Sequence, residues 1–321
     1  MERHIVCSGC SFTRQYRRIG INGTDLDFLE DNDNFWRWPH HLQNIYKNDF
    51  VYNLGNPTND NQVIAFSIIS KVSELLDMGI SPNNIFVIVQ WSDSNRKSFF
   101  ISNEIANSYN SQLKFGDTSD DAYSHVSAFL DNCDSSIGKN GYFIQSGGYN
   151  YNHVPYRVVD IFDSNVKYTS NEETTIQFFK NILLRQNFLK LKNIDFIQFN
   201  LSVNFYPTSD SLTFKGIYYD KKIIKSFYNG KYENPYLNFL FKQIDMTKMW
   251  LYVDEDTDNG GILEWSIKSF EEKIDGFLFM EHDFENLDEF IQSKSSDAYA
   301  LGHPSSNMNK KFVEKILKKF V

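Results

Sequence analysis

The segment NIFVIVQWS, residues 84–92, constrains the fold more than any other stretch of the chain, because it is apolar almost from end to end. A strand with one wet face alternates apolar and polar residues. A continuous short apolar run suits a strand buried on both faces, as in a parallel sheet with helices on either side. This segment is therefore expected at the centre of the sheet. Three weaker runs read as companion strands: HIVCSG (4–9), FVYNLGN (50–56) and IDFIQFNLS (194–202).

The intervening segments have helical character. NFWRWPHHLQNIY predicts a helix ending near Lys47. In NDNQVIAFSIISKVSELLDMG, Asn59 or Asp60 can cap the amino end and Gly79 can close the carboxyl end. Val63, Phe66, Ile69, Val72, Leu75 and Leu76 are expected to form its apolar stripe. A further helix is expected around 174–191. Strands alternating with helices imply a mostly parallel sheet, hence an α/β fold.

Two stretches break the rhythm. Residues 93–173 are rich in Asn, Ser, Asp, Gly and Tyr, and a second irregular, Tyr-rich stretch begins at 203 and extends to about 283. Both read as insertions into one domain spanning 1–321, since neither a repeat nor a linker divides the chain. MWLYVDED and GFLFMEHD are candidate strands, and DFENLDEFIQS a short helix. In the last segment, Phe312, Val313, Ile316, Leu317 and Phe320 fall at helical spacing, which predicts a terminal helix with a solvated lysine face.

Composition narrows the function classes. Of 321 residues, 41% are hydrophobic and 16% aromatic, which suits a packed globular core. The net charge of −9 repels a phosphate backbone, so nucleic acid is not an expected partner. No run reaches the ~18 apolar residues of a membrane span. The start, MERHIVCSGC, lacks the apolar core and small-residue cleavage site of a signal peptide, so a cytoplasmic location is expected. Three cysteines in a chain this long argue against a disulfide framework. A redox or zinc role for Cys7 and Cys10 lacks a second cysteine pair, and both read as small apolar fillers.

In open parallel sheets, ligands bind beyond the carboxyl ends of the strands. The segments to inspect are therefore GCSFT after the first strand, GNPTND after the second, QWSDSNR after the third, and GHPSS before the last helix. Ser11 follows the first strand directly. A serine hydroxyl becomes a nucleophile only with a base in hydrogen-bond reach and donors for the developing oxyanion. Gly55 can bring its N–H close to a ligand because no side chain obstructs it. Asn56 and Asn59 are nearby polar groups, although Asn59 also suits a helix cap. Ser92, Asp93 and Arg96 follow the third strand. Trp91 beside them either walls a pocket or packs inward, and Arg96 either lines the pocket or pairs with Asp93. His303, held by Pro304 ahead of the final helix, is a candidate general base. The other six histidines show no metal-ligand spacing, and EHD at 281–283 is a weak metal hint.

Taken in this order, the segments resemble the four sequence blocks of the SGNH (GDSL-type) hydrolases. GCSFT is similar to the block that carries the nucleophile, which puts that role on Ser11. NLGNPTND is similar to the second block, with Gly55 as an oxyanion donor. GHPSSNMNKKFVEKI is similar to the last, with His303 as the base. The resemblance covers mainly the first ~95 and last ~20 residues, and the style of QWSDSNR and GGILEWSIK is similar to SGNH-like proteins carried by phages. It implies a three-layer α/β/α, flavodoxin-like sheet and a serine esterase that needs no cofactor. The implied substrates are small acyl esters, acetylated glycans among them, with the aromatic insertions as sugar-stacking faces.

Three positions depart from the family pattern. Cys10 replaces an aspartate that has no catalytic role. Ser92, a shorter donor, stands where the family carries its oxyanion asparagine, and loss of one such donor can cost on the order of 10²–10³ in rate. Ala300 occupies the position of the acid that orients the histidine. A backbone carbonyl, or Asp297 from a differently shaped loop, would have to replace that acid. These departures leave open a second reading, a binding or structural protein that keeps the fold, for example in a virion or a glycan-modifying assembly.

Overall fold

The computed structural model describes residues 2–10, 13, 18–19, 25–26, 36–55, 59–92, 94, 97–101, 142–146, 171–202, 232–255, 257–269, 304 and 306–321. Its main sheet has five strands: β1 (His4–Ser8), β2 (Phe50–Asn53), β3 (Ile85–Trp91), β4 (Asp195–Asn200) and β5 (Met249–Trp250). Their order across the sheet is β2-β1-β3-β4-β5, and every neighbouring pair is parallel. This is the flavodoxin-like order of an α/β fold, and it has the expected apolar run at its centre as β3. Residues Lys97–Ile101 and Tyr142–Ser146, between β3 and β4 in sequence, form a separate antiparallel pair.

Among the described residues, six α-helices accompany the sheet: α1 (Trp38–Ile45), α2 (Asn61–Asp77), α3 (Asn171–Leu191), α4 (Pro235–Phe241), α5 (Ile262–Lys268) and α6 (Ser306–Lys315). Their distribution follows from crossover handedness. The chain moves one way from β1 to β2, then reverses and runs through β3 and β4 to β5. With right-handed crossovers, that reversal transfers the connecting helices to the other face. On one face, α2, α3 and α4 cover Val6, Val87, Val89, Trp91 and Phe196. On the other, α1, α5 and α6 cover Ile5, Cys7, Ile88, Ile197 and Phe199. Alternate strand residues thus feed alternate cores, as the two-residue period requires.

Local chemistry explains the element ends. Asp60, one of the two expected caps, accepts the Val63 N–H at 2.8 Å and starts α2. Gly79 adopts φ +83° just past the other end of that helix. The buried residues of α2 include Ile64, Ala65 and Ile68, whereas Phe66 and Ile69 of the expected stripe are only half-buried. MWLYVDED contributes only the two-residue edge strand β5. GFLFMEHD and DFENLDEFIQS lie outside the described residues. In the terminal segment Phe312, Val313 and Leu317 are buried, while Phe320 is largely exposed. No helix among the described residues is long and apolar enough to cross a membrane.

Candidate functional site

The reversal of direction in the sheet falls between β1 and β3, and open α/β sheets bind ligands at the carboxyl ends of the strands at such a point. The segment that leaves β1 turns back on itself there. Thr13 N–H donates to the Cys10 carbonyl at 2.9 Å, and Thr13 Oγ1 donates to Gln90 Oε1 at 2.7 Å. Gln90 Nε2 reaches Cys10 Sγ at 3.4 Å. This packing requires glycine at position 9: a Cβ there would lie 2.0 Å from Thr13 Oγ1 and 3.0 Å from Gln90 Cβ. Two further amides hold the turn from the side of β2. Asn59 Nδ2 donates to the Gly9 carbonyl and Asn53 Nδ2 to the Thr13 carbonyl, each at 3.1 Å. Asn59 thus secures the turn, while Asp60 caps the helix.

Gly55 is buried just beyond β2. Its N–H donates to Asn53 Oδ1 at 3.0 Å, so it can serve an oxyanion only by exchanging that partner. Beyond β3, Asn61 grips the Ser92 backbone at both ends. Its Oδ1 accepts the Ser92 N–H at 2.8 Å, and its Nδ2 donates to the Ser92 carbonyl at 3.2 Å. Trp91 takes the second of its two expected places. It is fully buried in the core on the α2–α3 face, edge-on to Phe178 at 5.9 Å.

The segment ahead of α6 reaches the same end of the sheet through α1. Arg37, buried at the start of α1, donates through Nη1 to the Pro304 carbonyl at 2.6 Å. Asn309 Nδ2 donates to that carbonyl at 3.0 Å, and its Oδ1 accepts the Trp38 N–H at 3.1 Å. His41 Nε2 and Ser306 Oγ share a hydrogen bond of 2.9 Å. Arg37 and Asn309 thereby fasten the residue that follows His303 to the helix that follows β1, and His41 ties Ser306 to the same helix.

The structure therefore gathers Cys10, Thr13, Gly55, Ser92 and Pro304 at the carboxyl ends of the strands. Ser11, Asn56, Asp93, Arg96, Asp297 and His303 lie outside the described residues. Cys7 and Cys10 are buried free thiols, and burial pushes the Cys7 thiol well above its usual range. A cleft lined by Arg3, Tyr46, Lys47 and Asp49 lies at the opposite, amino end of the sheet. There Arg3 already pairs with Asp49 and donates to the Val321 carbonyl.

Sequence reasoning missed the residues that hold these turns: Thr13, Asn53, Asn61, Gln90, Arg37, His41 and Asn309. Two carried a readable signal. Gln90 is the polar residue in an otherwise apolar central strand, and Asn53 ends β2. A buried amide at a strand end must find backbone partners, and the nearest are in the adjoining turns. Comparison with protein-family models, with curated proteins and with solved structures finds no match to this chain.

Proposed function

We propose that the chain is a serine ester hydrolase of the SGNH type, with Ser11 as nucleophile and His303 as general base. The observation that carries this reading is the convergence at the sheet's reversal point. Cys10, Thr13, Gly55 and the end of β3 are held there by hydrogen bonds, and the carbonyl that follows His303 is fixed by Arg37 at the start of α1. In the proposed reaction Ser11 Oγ attacks the ester carbonyl while its proton passes to His303. The N–H groups of Ser11 and Gly55, with Ser92, stabilise the oxyanion. His303 then protonates the leaving alcohol, and water attacks the acyl-enzyme to release the acid. Because Ala300 supplies no carboxylate, Asp297 or a backbone carbonyl orients His303. Small acyl esters, including acetyl groups on glycans, are the proposed substrates.

A second reading, a binding protein that keeps the fold without turnover, is favoured by the bond from Gly55 N–H to Asn53 Oδ1. Hydrolysis of a short-chain aryl acetate separates the two. Turnover that falls by on the order of 10³-fold or more in Ser11→Ala and in His303→Ala supports the enzyme. Wild-type hydrolysis no faster than that of the two variants supports the binding protein.

A further inference from the structure

Between the sheet and α3 lies a polar cluster that the ester chemistry does not use. Arg185, in the middle of α3, is fully buried. Its guanidinium carbon sits 4.5 Å from the centre of the Phe196 ring and 5.2 Å from that of Trp91. Nη2 donates to Gln198 Oε1, which also accepts from Trp91 Nε1 at 2.9 Å. Two donors on one oxygen fix the orientation of the Gln198 amide, and neither of them engages its NH2 group. Among the described residues, Arg185 Nε and Nη1 and Gln198 Nε2 have no hydrogen-bond partner. Asn200, two residues along the same face of β4, is also fully buried, and its amide has no partner among the described residues. None of the ion pairs among the described residues involves Arg185.

This arrangement is out of balance in charge and in hydrogen bonding. Burial lowers the pKa of Arg185 to about 9, which leaves it a cation at neutral pH. The two aromatic faces compensate part of the desolvation of a buried guanidinium, not all of it. The unpartnered atoms of Arg185 and Gln198 are all donors. Water brings as many donors as acceptors and no charge, whereas an anion brings acceptors and the missing negative charge. Trp91, Arg185, Gln198 and Asn200 show no exposed surface, so any occupant beside them is enclosed by the fold, which favours a small ion over a large or polyatomic group.

We propose that Arg185 and Gln198 bind one small monovalent anion of the halide class in the layer between α3 and β4. The ion is enclosed as the helix packs on the sheet, and it neutralises the guanidinium. This site is independent of the Ser11 chemistry.

Bromide tests the proposal directly. Crystals grown in sodium bromide should show an anomalous peak within hydrogen-bond distance of Arg185 and Gln198 Nε2. In solution, the wild type should gain roughly 2 °C in Tm for each tenfold rise in bromide above its dissociation constant. Sodium gluconate at equal ionic strength should give no such gain. Arg185→Met should lose both signals. Gln198→Glu, which supplies a carboxylate in place of the ion, should fold and also lose both. Absence of the peak at this position, or a bromide gain that persists in both variants, overturns the proposal.

Discussion

At Gly9 the side chains of Thr13 and Gln90 occupy the space a side chain would need. Gly9→Ala forces Thr13 out of its bond with Gln90 and should cost about 1–3 kcal/mol in urea denaturation. If the collision with Thr13 is the cause, Thr13→Gly in the Gly9→Ala background should cost at least ~0.5 kcal/mol less than the two single losses added together. Strict additivity would refute it. The glycine itself was legible in the sequence as a turn residue after a strand. Its partners were not, because Thr13, Asn53, Asn59 and Gln90 meet only when three parallel strands are placed side by side. Trp91 illustrates the same limit. One residue along an apolar strand decides which face a side chain takes, and the order of the strands decides what waits on that face.

The elements themselves were largely readable, and where the reading failed the geometry says why. The stripe expected on α2 advanced by threes from Val63 to Leu75, but a spacing of three falls short of the 3.6-residue turn and drifts around the helix. The buried set, with Ile64, Ile68, Val72 and Leu75, mixes steps of four and three and stays on the sheet. Contacts between elements follow the same logic at the surface. Lys190 at the end of α3 pairs with Asp245 at 2.7 Å, in the turn before β5. That bond, helped by Thr247, holds the Asp245 carboxyl below its usual pKa. A carboxylate with a lowered folded-state pKa contributes stability at neutral pH that fades as pH falls through that pKa. Both groups are partly exposed, so Asp245→Asn should cost less than ~1 kcal/mol at pH 7. The difference should vanish by about pH 2 and shrink in 1 M salt. A cost that grows as the pH falls would contradict the assignment.

At the scale of the molecule, the alternation of apolar runs and helices was enough to anticipate a parallel sheet covered on both faces. The path of the chain adds the functional content. It leaves β1 in one direction and returns in the other, so the turn after β1 and the end of β3 flank the point where the strand order reverses. The α1–α6 pair, joined through Arg37, His41, Ser306 and Asn309, then delivers the Pro304 segment from the far end of the chain to the same edge. Joining residues this distant in sequence is the work of the fold, and no local motif could show that Arg37 and Asn309 would share the Pro304 carbonyl. The central claim is that this convergence activates Ser11. Incubation with a fluorophosphonate, followed by proteolysis and mass spectrometry, tests it most directly. The account predicts one adduct on the peptide carrying Ser11, lost in Ser11→Ala and slowed in His303→Ala. Wild-type protein that remains unlabelled, or is labelled equally in Ser11→Ala, would contradict it.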